Sequence, residues 1–366
     1  MIGHKLVPSR SGGIEVAVEA LATRMAAQGH DVTLYNRGKD PAVHNQMYKG
    51  VQIRSVPVVK KQGIAAVMGS FFATVQALFG KFDCIHFHAE GIAAMAFLPH
   101  LLGIPTVVTI HGLDWQRSKW GKFASWYLKL GEKTAVRYAD EIIVLSQAMK
   151  QYFMTTYGRE TVYIPNGLPE HNRKEADSIT KKWDLHPDEY ILYLGRIVPE
   201  KGIELLIRSF LQVKTDKKLV IAGGQLDMPE HFAMLKELAA SDPRIIFTDF
   251  VQGDDLLELF SNCSFYCLPS YLEGMPISLL EALSFGNCCL SSNIPECAEV
   301  LGEWGCQFRC GDGDDLQEKL QMLCDNPERI AECRHQVASH FTHLTWDQVA
   351  DKTLALYRSL GKDVTV

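Results

Sequence analysis

Two glutamates eight positions apart, Glu273 and Glu281, stand in the stretch Pro269-Ser270-Tyr271-Leu272-Glu273-Gly274-Met275-Pro276-Ile277-Ser278-Leu279-Leu280-Glu281. Pro276 fits the first turn of a helix, where no backbone N–H is needed. Glu273 then sits on the loop before that helix, and Glu281 about a turn and a half inside it. Unsatisfied N–H groups at a helix start attract anions. A carboxylate beside such donors suits a polyhydroxylated ligand that also carries phosphate. Either glutamate alone reads as a surface charge; the pair in this setting reads as a site.

A second cluster is Gly195-Arg196-Ile197-Val198-Pro199-Glu200-Lys201-Gly202. Arg196 can grip phosphate oxygens with two N–H groups, and Lys201 adds a compact point charge. Two cations closing on a diphosphate can neutralise it as it leaves, a task that metal ions perform elsewhere. Ser11-Gly12-Gly13-Ile14-Glu15 opens a helical pattern, and its glycines let the backbone approach a ligand. Taken alone, it is as readily an ordinary turn. Thr109-Ile110-His111-Gly112 ends an apolar run, which places His111 at a strand's carboxyl edge, where a structural cap is the competing reading. Gly223-Gly224 and Phe250-Val251 follow two later strands. Asp312-Gly313-Asp314 offers an apparent metal pair, but a helical pattern follows, and capping is the simpler account.

The scaffold for these residues alternates strand and helix. Strands are predicted at 32–35, 53–56, 84–87, 106–110, 141–145 and 162–164, then at 190–194, 219–222, 245–248, 264–268 and 288–291. Helical patterns cover 14–28, 203–213, 229–240, 253–262, 277–284, 314–324 and 346–360. This is an α/β chain of two doubly wound, Rossmann-like parallel-sheet domains. The expected division is 1–168, 169–345 and a C-terminal helix and tail, 346–366, packing back toward the first domain. Ligands in such sheets bind beyond the carboxyl ends of the strands, so a cleft shared by the two domains is expected. The first strand is expected to be only Met1–His4.

The 366 residues are 47% hydrophobic and 22% charged, enough for two cores. With no apolar run of about 18 residues, no membrane-spanning helix is expected, and no secretory signal is read at the N-terminus. Ten scattered cysteines, none in a Cys-x-x-Cys pair, fit a reducing cytoplasm, with Cys288 and Cys289 in the core. Residues 1–168 carry 18 Lys and Arg against 11 Asp and Glu, a net of +7; the remainder carries −13, for −6 overall. A basic first half suits a phosphate-bearing acceptor or an anionic membrane surface. The segment Trp115–Arg137 holds three tryptophans and six cations, Arg117 and Lys119 among them, with Glu132 its sole acid. Trp120, Phe123, Tyr127 and Leu130 share a helical face. Packing on the sheet is the favoured reading of that face; an interfacial helix, joined by the Val58–Phe82 stretch with Lys60 and Lys61, is the other.

The Gly-Gly loop, the strand-end His-Gly, the Gly-Arg-x4-Lys-Gly loop and the Glu-x7-Glu stretch, in that order, resemble the motifs of retaining glycosyltransferases of family 4 with the GT-B fold. The resemblance spans nearly the whole chain. Met-Ile-Gly-His-Lys and His-Gly-Leu-Asp-Trp-Gln-Arg-Ser-Lys-Trp resemble a bacterial surface-polysaccharide subgroup that includes rhamnosyltransferases. It implies transfer of a hexosyl group from a nucleoside diphosphate sugar to a hydroxyl of a saccharide or lipid-linked saccharide, with retention by a same-face route. It further implies Arg196 and Lys201 on the diphosphate, Glu281 on the ribose, and Glu273 with the backbone of Gly274 and Met275 on the donor sugar. Val251 would lie at the nucleotide, Gly12 and Gly13 near the donor phosphate and acceptor, and His111 on the transferred sugar. His111, Glu273, Arg196 and Lys201 form the expected catalytic set. No metal or cofactor beyond the sugar nucleotide and no nucleic acid partner are expected. The expected location is the cytoplasm, at the inner face of the membrane. The alternatives are an epimerase or phosphorylase of the same fold and, behind these, a non-catalytic two-lobed sugar-binding protein.

Overall fold

The computed structural model describes residues 1–9, 12–38, 46–58, 64–116, 120–168, 171–224 and 228–361. Ser11, Lys60, Lys61, Arg117 and Lys119, singled out above, lie outside the described residues. The chain divides into two units, Met1–Gly167 with the segment from Leu344 on, and Leu168–His343.

The first unit holds β1 (Thr33–Arg37), β2 (Gln46–Tyr48), β3 (Val51–Val56), β4 (Ile85–His88), β5 (Thr106–Ile110), β6 (Glu141–Val144) and β7 (Val162–Tyr163). They run in the orders β1-β3-β2 and β4-β5-β6-β7. All pairs are parallel except β2 with β3, a short antiparallel edge absent from the sequence reading. Every residue of β4 and β5 is buried, as strands covered on both faces require. The predicted first strand, Met1–His4, shrinks to single bridges from Ile2 to Tyr35 and to Phe87. Gly3 explains this. Its φ is +139°, and a Cβ there would stand 2.1 Å from the His88 carbonyl oxygen, so the chain turns out of strand geometry. His4 then buries its ring, with Nε2 2.9 Å from Asn36 Oδ1.

The C-terminal helix, Trp346–Leu360, packs on the Gly13–Ala27 helix and buries Trp346, Val349, Ala350 and Leu354 beside Ala17, Leu21 and Met25. Thr345 and Gln348 form a capping box at its start. Gly167 admits this helix, for a Cβ there would lie 2.6 Å from the Trp346 backbone nitrogen.

The Lys122–Tyr138 helix bears out the favoured reading of the aromatic face only in part: Trp120 and Tyr127 are half-buried, while Phe123 and Leu130 are exposed. Its buried residues are Gly131, Glu132 and Ala135, while Phe123 is 79% exposed, Trp126 58% and Leu130 41%. Gly131 sets this orientation. A Cβ there would meet the Glu90 carbonyl oxygen at 2.0 Å, so this side lies against the Glu90–Ala93 turn. The 123/126/130 side is left outside.

The second unit holds β8 (Tyr190–Leu194), β9 (Lys218–Ala222), β10 (Ile245–Asp249), β11 (Phe265–Leu268), β12 (Cys289–Ser292) and β13 (Cys306–Phe308), in the order β10-β9-β8-β11-β12-β13. All pairs are parallel. The order reverses direction between β8 and β11, the kind of switch point at which open α/β sheets bind ligands. The core takes Tyr190, Tyr193, Tyr266, Phe210, Phe260 and Phe265, with Cys288 and Cys289 buried as expected. Asp312 caps the Gly313–Asp325 helix by accepting from Asp315 N–H at 3.0 Å, in line with the capping reading. The strand β13 and the helices Ser178–Trp183, Pro295–Leu301 and Pro327–His340 are additions to the sequence-based scheme.

Candidate functional site

In the second unit the chain leaves β8 through Gly195 and Arg196, makes a one-turn 3-10 helix at Pro199–Lys201, and starts the Ile203–Phe210 helix at Gly202. It leaves the neighbouring β11 through Pro269–Glu273 and starts the Ile277–Ser284 helix with Pro276 at the cap position. The two loops lock together at Gly202. Its φ is +67°, and a Cβ there would stand 2.0 Å from the Pro269 carbonyl oxygen. Beside it, Tyr271 N–H donates to the Glu200 carbonyl at 2.9 Å.

This lock brings Lys201 and Glu273 together. Lys201 Nζ donates to Glu273 Oε1 at 2.6 Å, and the Ser270 hydroxyl donates to the same oxygen at 2.6 Å. Both side chains are largely buried, 14% and 8% exposed. The Tyr193 hydroxyl beneath donates to the Arg196 carbonyl at 3.0 Å. Burial first, and then the Glu273 charge, push the Tyr193 phenol well above its ordinary range, so it stays a neutral donor. Across β9, a Cβ on Gly223 would meet the Gly195 carbonyl oxygen at 2.1 Å, so both loops pass with backbone in contact. The start of the Ile277–Ser284 helix, Arg196, Lys201 and Glu273 therefore all lie on or beside the two loops that leave β8 and β11 at one switch point. Such a set can bind a polyanion and hydroxyls together.

Glu281 lies inside the Ile277–Ser284 helix, where its carbonyl accepts from Phe285 N–H at 3.2 Å. Gly274 and Met275 precede that helix, with Met275 packed against the core. Val251, after β10, also packs against the core, whereas Phe250 before it is 45% exposed. Of that pair, Phe250 is the more exposed.

In the first unit, Gly12 caps the Gly13–Ala27 helix. A Cβ on Gly12 would lie 2.6 Å from Glu15 Oε2, and the other Glu15 oxygen accepts from Lys5 N–H at 2.8 Å. His111 follows β5 and meets two histidines that the sequence reading missed. His88 Nδ1 lies 3.1 Å from His111 Nε2. His86, tilted by 30° against His88 with ring centroids 4.1 Å apart, bonds through Nε2 to Thr109 Oγ1 at 2.7 Å and through Nδ1 to the Tyr357 hydroxyl at 2.5 Å. Burial lowers His111 to about 4 and drives His86 and His88 well below the ordinary imidazole value. All three rings are neutral at pH 7. The signal was present in the alternation: His86 and His88 share one face of β4, and β4 pairs with the strand that ends at His111.

A buried acid lies next to this edge. Ala89, with φ +87°, turns the chain so that Glu90 is wholly buried. Its carboxyl oxygens meet no hydrogen-bond partner of ordinary geometry among the described residues. Burial, then Asp114 and Glu132, hold Glu90 far above the usual carboxylate range, so it is protonated at pH 7. Glu132 accepts from Trp115 Nε1 at 3.1 Å, from the Tyr152 hydroxyl at 2.9 Å and from the Tyr157 hydroxyl.

Comparison with known proteins follows this division. The family "Glycosyltransferase Family 4" matches residues 11–171, and "Glycosyl transferases group 1" matches residues 175–339. The chain is 30% identical over 214 residues to the uncharacterized glycosyltransferase YqgM of Bacillus subtilis, covering 56% of this chain and 57% of YqgM. It is 28% identical over 187 residues to the serotype-specific mannosyltransferase WbdA of Escherichia coli, covering 50% of this chain and 23% of WbdA. The chain thus spans under two thirds of either relative. Its fold matches the crystal structure of Anabaena HepE in complex with UDP-glucose, with a TM-score of 0.77 at 17% identity, covering 96% of this chain and 98% of HepE. The two parallel-sheet units are those of the GT-B fold.

Proposed function

We propose, for a chain that belongs to the glycosyltransferases of GT-B fold through its family 4 and group 1 domains, that it moves a hexosyl group from a nucleoside diphosphate sugar to an acceptor hydroxyl with retention of configuration. One observation carries the reading: Lys201 and Glu273 meet at 2.6 Å at the β8/β11 switch point, on the two loops that also bear Arg196 and the helix start.

In this reading the second unit takes the donor. Arg196 and Lys201 hold the diphosphate, Glu281 the ribose hydroxyls, and Val251 with Phe250 the nucleoside. Glu273 and the backbone of Gly274 and Met275 hold the sugar. As the bond from the anomeric carbon to the diphosphate oxygen breaks, the two cations stabilise the charge that develops there, without calling on a metal ion. The acceptor oxygen forms its bond on the same face and gives its proton to the departing diphosphate. Positioning supplies much of the rate. Gly12, Gly13 and His111 are the first unit's contribution to substrate binding. The acceptor in this reading is a saccharide or lipid-linked saccharide of bacterial polysaccharide synthesis, and the likeness to a serotype-specific mannosyltransferase supports transfer of a hexosyl group.

A peripheral position on the cytoplasmic face of an anionic membrane belongs to the same reading. It is supported by the exposed Phe123, Trp126 and Leu130, flanked by Lys122, Lys129, Lys133 and Arg137, while Glu132 on that helix is buried. The short Phe97–Leu101 helix beside it adds exposed Leu101 and Leu102.

The test is thermal stabilisation by UDP, GDP, ADP and dTDP, followed by release of the matching nucleoside diphosphate from its sugar conjugate. Stabilisation by one base and acceptor-dependent release are expected. Sugar binding with no nucleotide requirement, or release by hydrolysis or phosphorolysis alone, would overturn the transferase reading.

A further inference from the structure

His88 is buried at 2% exposure, and its two ring nitrogens have unequal surroundings. Nδ1 lies 3.1 Å from His111 Nε2, while Nε2 is sealed from solvent and meets no partner among the described residues. A neutral imidazole carries one proton, so only one of its nitrogens donates. Two arrangements are open to the pair. If His111 Nε2–H donates to His88 Nδ1, the His88 proton must sit on Nε2, as a buried N–H without an acceptor. If His88 Nδ1–H donates to His111 Nε2, the orphan at His88 Nε2 is only a lone pair. An orphaned buried N–H is the rarer and costlier defect. The second arrangement wins.

We infer that His88 is a positioning residue that fixes the tautomer of His111, so that His111 carries its proton on Nδ1 and serves the substrate as a hydrogen-bond donor to oxygen. The ladder behind it holds the register. Thr109 on β5 and His111 just beyond its end are two residues apart, as His86 and His88 are on β4, and His86 is pinned at both ring nitrogens by Thr109 and Tyr357. The tilted His86 ring against His88, centroids 4.1 Å apart, leaves the His88 ring little room to flip. The depressed basicity of both rings keeps the pair neutral through the physiological range. The use of His111 by substrate rests on the proposed transferase function; its tautomer does not.

The experiment is nitrogen NMR on protein labelled at histidine with 15N, with the His111 signals assigned by their loss in His111→Ala. Wild type is expected to show a protonated Nδ1 and a bare Nε2 at His111. His88→Phe, which keeps an aromatic ring against His86 but not the donor, should abolish this preference. His88→Asn, whose amide N–H stands near the position of the imidazole Nδ1–H, should restore it. Turnover should follow the tautomer, falling about tenfold to a hundredfold in His88→Phe, the worth of one such hydrogen bond, and recovering in His88→Asn. The dissociation constant for the nucleotide alone should not change. A protonated Nε2 in wild type, or an unchanged His111 spectrum in a folded His88→Phe protein, would overturn the inference. An intact tautomer effect with normal turnover in His111→Ala would instead fault the use assigned to His111 in the transferase.

Discussion

Lys201 Nζ and Glu273 Oε1, 72 residues apart in sequence, close a 2.6 Å ion pair where the β8 and β11 loops meet. One partner is the cation assigned to the leaving diphosphate and the other the carboxylate assigned to the sugar. Without ligand each satisfies the other, and the Lys201 ammonium is held in place before any phosphate arrives. A buried pair gains little net energy, but breaking one side exposes the other to the full cost of desolvation.

Lys201→Ala should therefore cost about 1–3 kcal/mol of stability, since Ser270 alone would then serve the Glu273 carboxylate. Turnover should fall much further, by ~100-fold or more, as expected when a group facing developing charge is lost. In Lys201→Ala/Glu273→Gln part of the stability should return while activity stays lost. Urea melts set beside nucleotide-release rates would check this; a folded Lys201→Ala protein of normal activity would remove Lys201 from the mechanism.

Gly202→Ala combines a left-handed φ with a collision at the Pro269 carbonyl. The loop bearing Ser270 and Glu273 must shift to accept it. A loss of ~2 kcal/mol or more is expected, with weaker stabilisation by nucleotide. Calorimetry with and without nucleotide measures both effects.

Glu90 makes stability depend on pH in a definite direction. Burial and the acids nearby raise its pKa in the folded state, so the folded chain keeps a proton that the unfolded chain releases. Its contribution is whole below the ordinary carboxyl range and fades as pH climbs through neutrality, by up to ~1.4 kcal/mol per pH unit. Glu90→Gln keeps the shape and removes the titration. Its stability curve between about pH 5 and 9 should be flatter than that of wild type. Parallel curves would show that Glu90 does not titrate there.

Phe123→Glu/Trp126→Glu places two carboxylates on the exposed face of the Lys122–Tyr138 helix. Wild type should pellet with vesicles rich in phosphatidylglycerol and not with phosphatidylcholine alone. The double variant should stay in the supernatant with its nucleotide-dependent melting intact. Wild-type pelleting indifferent to lipid charge, or equal pelleting by the variant, would end the membrane reading.

The regular part of this fold was legible because parallel strands are continuous apolar runs. The runs at Tyr190–Leu194 and Thr106–Ile110 coincide with the observed strands residue for residue. What escaped lacked such a run. The edges β2 and β13 have three residues each, too few for a period. The Pro327–His340 helix buries only Ile330, Cys333 and Val337, a correct but sparse 3-4 spacing behind a proline start. On the Lys122–Tyr138 helix, Phe123 and Leu130 misled while Trp120 and Tyr127 are half-buried, because aromatic spacing reports a stripe and not what covers it; Gly131 was the better clue. At the candidate site, the loops were legible from residue types. The Lys201–Glu273 contact was not, since the strand order that joins β8 to β11 is a long-range fact. The partners of His111 were missed because a histidine inside an apolar strand looks like filler until its neighbour strand is known.

The helix Trp346–Leu360 belongs to the first unit, although its chain follows the whole of the second. On the ribosome, Met1–Gly167 therefore emerges with Ala17, Leu21 and Met25 still wet and with His86 lacking Tyr357. The second unit can close as soon as its own last helix is out. The half made first is thus finished last, and a nascent-chain binding factor would find its longest-lived target on the Gly13–Ala27 helix.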